Sequence, residues 1–224
     1  MHTTFTLFHH ADGTQRVKWN KDIVIQRSMT VLATVGAIFL LCLLVLSPAM
    51  FSIWSKVSQF DKDALSTYTK IASTLIDSGN PAVATSWRVP VKAGLKIEDI
   101  EEVMDFVAAE FNLKRVGEST LFDDSNKKAV ESLTGVPYRF SKTYMFCNAI
   151  TAAKMFNLNP AYSAYTPCRI TLIEDKYGKR WLYSLNIDMM IYGGTPLPRD
   201  LKQASLKIRD GLQAIMQRSA NGEL

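Results

Sequence analysis

Residues 28–55 contain no charged side chain, and 29–53 is mostly Leu, Val, Ala, Ile, Phe and Met. A helix rises about 1.5 Å per residue, so roughly 20 apolar residues cross a hydrocarbon layer about 30 Å thick. This stretch exceeds that length. Arg27 and Lys56 bound it, and Trp54 stands where an amphipathic ring favours a membrane interface. Pro48 is expected to kink or finish the helix near its far end. Ser47-Pro48-Ala49 offers the small residues of a signal-peptide cleavage site. The polar leader through Arg27 favours a retained anchor instead, as does an apolar core longer than the usual h-region of about 7–15 residues. The pattern predicts a tail over 1–27, a transmembrane helix over 28–55, a connecting helix within 56–81 and one folded domain over 82–224.

Beyond the span, the apolar spacing switches between helical and strand periods. Asp61 can cap a helix whose face holds Leu65, Tyr68, Ile71, Ala72, Leu75 and Ile76, and Gly79-Asn80-Pro81 stops it. Residues 83–91 alternate as a strand, with Pro90 marking an edge or an end. Ile97, Ile100, Val103, Met104, Val107 and Phe111 repeat at helical spacing behind an acidic first turn. A short strand is expected over 113–121, then a small helix capped by Asp124 or Ser125 that ends at Gly135. An aromatic strand over 138–147 and a helix over 151–158, closed by Asn159-Pro160, follow. The runs 168–174 and 180–186 flank a Gly-containing loop and read as a β-hairpin. A last helix starts near Leu197 and buries Leu201, Ala204, Ile208, Leu212, Ile215 and Met216. The order predicts an α+β fold: a two-layer α/β sandwich with a mainly antiparallel sheet, preceded by one transmembrane helix.

Five features occur in a fixed order: Phe146-Cys147-Asn148, Asn159-Pro160, Pro167-Cys168-Arg169-Ile170, Glu174-Asp175 followed by Gly178-Lys179, and the terminal helix. Together they resemble the bacterial and archaeal family catalogued as domain of unknown function 302, over residues 87–216. The resemblance implies a small two-layer α/β sandwich, sometimes dimeric, so a homo-oligomer is one expectation. It implies no activity. The chain departs from simple members in its anchor, its connecting helix and the segment Met189-Met190-Ile191-Tyr192-Gly193-Gly194.

The charge pattern bears on orientation and partners. Arg16, Lys18, Lys21 and Arg27 precede the span closely, whereas Lys56, Lys62 and Lys70 follow it sparsely. The positive-inside bias puts the N-terminus in the cytoplasm and, for a bacterial inner membrane, the C-terminal domain in the periplasm. After the span, 22 basic residues face 19 acidic ones without a dense cluster, which argues against a nucleic-acid surface. His2, His9 and His10 all precede the span. The domain therefore lacks the histidine of Ser-His-Asp and Cys-His catalysis, of histidine-ligated haem and of most catalytic zinc sites. No phosphate-binding loop, dinucleotide fingerprint or haem-attachment motif is present. No catalytic, metal or cofactor-binding residue is assigned, and no cofactor is expected.

Candidate ligand or redox residues are Cys147, Asn148, Cys168 and Arg169. The two cysteines read as buried small hydrophobes, as a disulfide, or as a redox or metal pair; a helix start after Cys147 could lower its thiol pKa. Asn148 and Arg169 could bind a small anion, against the plainer reading of a helix cap and a solvent-facing strand residue. The methionines, Met145, Met155, Met189 and Met190 among them, lack the closely repeated spacing of a copper-binding motif and read as packing residues. Trp54, Met189, Met190 and Tyr192 are interface candidates. Glu174, Asp175 and Asp188 could serve an unrecognised enzyme. The expected partners are the lipid bilayer and other integral membrane subunits. The preferred function is a non-catalytic accessory or interaction subunit of a membrane complex, respiratory or substrate-oxidising. The alternative is a periplasmic ligand- or redox-sensing module built on Cys147 and Cys168.

Overall fold

The computed structural model describes residues 21–224, without the side chains of residues 21–26, 43, 45, 46 and 49. Most of the expected tail, with its three histidines, lies outside the described residues. The chain divides into two units, the second beginning at Gln59.

The described residues of the first unit form the helix α1, Lys21–Val57, which starts ahead of the uncharged stretch and runs through Pro48. Proline has no N–H, so it leaves the carbonyl four residues earlier without its helical donor. Ser47 Oγ donates to that carbonyl, Leu44 O, at 3.1 Å. Thr34 and Ser55 likewise donate their hydroxyls back to Thr30 O (2.7 Å) and Ser52 O (2.9 Å). Among the described residues no helix is long and apolar enough to cross a membrane. The side chains of Leu43, Val45, Leu46 and Ala49, within α1, fall outside that set. The transmembrane reading therefore rests on the sequence pattern.

The second unit opens with α2, Ala64–Ser78, one position after Asp63 rather than at the expected Asp61 cap. Asp61 is buried. Its carboxylate accepts from the Asp63 N–H (3.1 Å) and pairs with Lys202. Gly79 closes α2 in the left-handed conformation (φ 62°). The strand expected over 83–91 is shorter than the alternation suggests. Asn80 caps a single turn, α3 (Pro81–Ala84), by accepting from the Ala82 N–H at 2.9 Å, and Pro81 presets that turn's φ. Strand β1 is confined to Ser86–Pro90.

Helix α4 (Ile97–Glu110), β2 (Lys114–Phe122), α5 (Lys127–Thr134), β3 (Phe140–Cys147) and α6 (Ala149–Leu158) follow. A 3-10 turn over Pro160–Tyr165 comes next, which the Asn159-Pro160 stop signal did not reveal. The hairpin strands are β4 (Cys168–Glu174) and β5 (Arg180–Leu185); α7 (Asp188–Tyr192) and α8 (Arg199–Asn221) complete the chain. All five strands form one antiparallel sheet in the order β1-β5-β4-β3-β2. The expected α+β class with an antiparallel sheet is what the chain adopts.

Alternation decides which side of the sheet is buried. Tyr144 and Phe146 of β3, Ile170 and Leu172 of β4 and Leu182 of β5 share one face through the register Tyr144↔Ile170 and Leu172↔Leu182. They pack with Ile100, Met104 and Val107 of α4 and Leu212, Ile215 and Met216 of α8 in one core. Glu101 binds this core's rim: its carboxylate accepts from Tyr144 Oη (2.7 Å) and Lys142 Nζ (2.9 Å).

Candidate functional site

Cys147 ends β3 and Cys168 begins β4, and the register Phe146↔Cys168 leaves Cys147 one residue past that pair. The two cysteines thus come from neighbouring strands at the same end of the sheet, although they are 21 positions apart in sequence. Asn148 caps α6 directly after Cys147. Its Oδ1 accepts from the Thr151 N–H at 2.9 Å and its Nδ2 donates to Asn112 O at 3.0 Å. Helical spacing then carries Thr151, Ala152 and Met155 to the same side as the cap. The turn α7 brings Ile187, Met190 and Ile191 over this end of the sheet, and Ser205 and Ile208 of α8 close it.

These residues line a partly open cavity of about 50 Å³, whose walls also include Phe146 and Thr166. It gathers three of the four ligand candidates: Cys147, Asn148 and Cys168. The fourth, Arg169, does not line it. Arg169 is exposed, opposite Met145 in the sheet. No anion pocket formed by Asn148 and Arg169 together is found among the described residues. Asn148 is occupied by its cap and by the Asn112 carbonyl.

Both thiols are free. Burial raises the pKa of Cys147, so the lowering expected from the adjoining helix start does not occur. Burial pushes Cys168 further, to about 11, with the neighbouring Cys147 adding to the shift and Arg169 opposing it. At neutral pH both are protonated thiols and slow nucleophiles.

Among the interface candidates, Met190 lines the cavity; its neighbour Ile191 is buried in the core. The segment 188–192 is a helical turn, which places Ile187 and Ile191, four positions apart, on its buried side. Tyr192 Oη accepts from Arg209 Nη1 at 3.0 Å and its ring lies under Lys202. Met189 is exposed and borders a separate surface groove with Leu158 and Tyr165. Trp54 is exposed on α1.

The three acidic candidates do not converge. Glu174 pairs with Arg180 (2.5 Å), and Asp175 accepts from the Tyr177 and Lys179 N–H groups (both 2.9 Å) inside the hairpin loop. Asp188 faces a polar cleft of about 530 Å³ beside Arg209, and its Oδ1 is buried without a hydrogen bond. Among the described residues, no group of three or more His, Cys, Asp or Glu side chains is placed to hold a metal ion. The sulfur-bearing residues along the cavity are Cys147, Cys168, Met155 and Met190; strand alternation turns the Cys147 side chain to the opposite face of the sheet from Cys168, which pairs with Phe146. Sequence spacing missed Met155 as a site residue, although its position seven residues after the Asn148 cap was a usable signal. Met190 gave none, because it reaches the cavity only through the turn after the hairpin.

The family model described as Domain of unknown function DUF302 matches residues 93–218, more than half of the chain and all of the cavity's lining. A crystal structure of an uncharacterized conserved protein DUF302 from Bacillus stearothermophilus is similar with a TM-score of 0.45 and 16% sequence identity. The similarity covers 60% of this chain and 98% of that one. No curated protein matches the sequence.

Proposed function

The chain belongs to the family described as domain of unknown function DUF302, and from that premise we propose that it is a membrane-tethered module that binds a small ligand in the apolar cavity beside Cys168. The family's description names no activity, so the reading rests on the site. One observation carries it: residues distant in sequence, Cys147, Asn148 and Cys168, share one cavity with Met155 and Met190. Burial holds both thiols protonated, which disfavours thiol–disulfide chemistry at this end of the sheet.

The tether is the uncharged stretch 28–55 within α1. Its length supports a single span, and the return of the Ser47 hydroxyl to the carbonyl freed by Pro48 supports a helix suited to lipid, where each backbone group needs a partner. The basic bias before the span supports a cytoplasmic N-terminus and a periplasmic domain in a bacterial inner membrane.

A second reading, an accessory subunit of a membrane complex, is favoured by α2. Its apolar positions Leu65 and Ile76 are 76% and 81% exposed, and only Ala64 of this helix is buried. Such a face fits a partner subunit.

The test starts from the full-length chain in the carbonate-washed membrane fraction, purified in mild detergent and weighed by native mass spectrometry. The wild type is expected to retain a small mass that Ala152→Leu, which fills the cavity, does not. Recovery in the soluble fraction overturns the tether, and bare-chain masses for both proteins overturn the binding site.

A further inference from the structure

The face of the sheet opposite the core carries its own pattern. The register sets Met145 beside Arg169, Thr143 beside Thr171, Tyr183 beside Arg88, and Ile173 beside Trp181 on this side. Helices α4 and α8 pack against the other side with Tyr144, Ile170 and Leu182, and α5, between β2 and β3, buries none of its own residues. We propose that this open face docks on the headgroup layer of a membrane containing anionic phospholipid. The proposal rests on the reading of the chain as membrane-tethered and adds the surface by which the domain meets the lipid.

Charge points to the occupant. Arg88, Lys114 and Arg169 all lie on this face, Lys114 through its register with Cys147. All three are exposed, and among the described residues none has an ion pair. The two acidic residues of the strands, Glu118 and Glu174, are in register with Tyr144 and Phe140 on the other side and pair there with Lys142 and Arg180. A second copy docked face to face would set these cations against a surface without a carboxylate, which opposes association. Nucleic acid fits poorly too, because three cations spread over β1, β2 and β4 form no dense track for a phosphate backbone.

The apolar content of the face suits lipid. Trp181 and Tyr183 stand with Met145 and Ile173, and Trp and Tyr favour the headgroup level of a bilayer. Arg88 lies over the Trp181 ring at 4.6 Å, which keeps a cation and an indole together at one spot. The face can also give up water. Strands β3, β4 and β5 are each paired along both edges, so their backbone groups already have partners. The Thr143 and Thr171 hydroxyls bond each other at 2.9 Å, which satisfies the polar pair at the centre. A tether holds this face at high effective concentration near lipid, and cations within about a Debye length of an anionic surface are drawn to it.

The test is hydroxyl-radical footprinting of the full-length chain in lipid nanodiscs, read residue by residue by mass spectrometry. Met145, Trp181 and Tyr183 are expected to be oxidised roughly threefold or more slowly in phosphatidylglycerol discs than in phosphatidylcholine discs. Tyr165, exposed outside the sheet, is expected to react alike in both. The protection is expected to vanish in about 1 M salt, where the screening length is about 3 Å. It is expected to vanish as well in Arg88→Gln with Lys114→Gln and Arg169→Gln, whose exposed, unpaired side chains leave the fold intact. Equal rates in both discs, or protection that survives the triple substitution, overturn the docking. Protection in detergent that grows with protein concentration assigns the face to a second copy and overturns it too. A chain that inserts in the discs yet shows equal rates leaves the tether standing. One that does not insert removes the tether and the docking with it.

Discussion

Gly211 lies in the middle of α8, where glycine ordinarily costs about 1 kcal/mol relative to alanine. Its place is explained by what passes beside it. A Cβ at Gly211 would stand 2.8 Å from Phe111 Cβ, 2.9 Å from Phe111 Cγ and 3.0 Å from Leu113 Cδ1. Carbon atoms settle at about 3.5–4.0 Å, so Gly211→Ala forces a separation of roughly half an ångström or more. The opposing backbone has little room to yield. Asn112, between those two residues, is in the left-handed conformation (φ 55°), and the Leu113 N–H is tied to Ala108 O at 2.8 Å. Overpacking of this kind costs about 1–3 kcal/mol. Set against the propensity gain, a net loss of about 1 kcal/mol is expected. For a domain of this size that lowers Tm by about 2–4 °C. Urea unfolding of the unit from Gln59 onward should show a lower midpoint with an unchanged slope. A variant as stable as the wild type, or more stable, refutes the close approach of α8 to the α4–β2 turn.

Tyr144→Phe removes a hydroxyl that is fully buried and bonded to the Glu101 carboxylate, and is expected to cost about 1–3 kcal/mol in urea unfolding; a loss below about 0.5 kcal/mol contradicts the bond. Burial would raise the carboxyls of Glu101 and Asp61, but bonds from Lys142 and Tyr144 to the first, and from Lys202 and the Asp63 N–H to the second, hold both below their ordinary values. Their contribution is therefore complete above the unfolded carboxyl value of about 4 and is lost as pH falls through the lower folded values. The urea midpoint should drop below pH 4, and less so in Glu101→Gln with Asp61→Asn; identical acid profiles count against these pairs. Cys168, with a pKa of about 11, is thiolate in only about one part in 10⁴ at pH 7. Alkylation in the folded protein should be far slower than in urea, and equal rates contradict its burial.

Much of the fold was legible because alternation and helical period speak for themselves. The hairpin of β4 and β5, the stripe of α4 and the buried face of α8 follow from apolar spacing alone. The turn Pro81–Ala84 was not legible as helix, since four residues cannot show a helical period and Ala-Val-Ala also alternates; the Asn80 cap and Pro81 were the better signals. Asp61 looked like a helix cap because the local sequence fits one. Its partner Lys202 lies 141 positions away, and no local pattern could show that. The site divides in the same way. Cys147, Asn148 and Cys168 stood out by type and position, whereas Arg169 belonged to the exposed face that strand alternation already implied. The role of Met155 and Met190 depends on how α6 and the turn after β5 pack, which is tertiary information.

The central claim is that the cavity lined by Asn148, Met155, Cys168 and Met190 is a ligand site. Its most direct test is a comparison of the native masses of the full-length wild type and Ala152→Leu, both purified in mild detergent. The account predicts a small retained mass on the wild type that Ala152→Leu has lost. Bare-chain masses for both proteins contradict it.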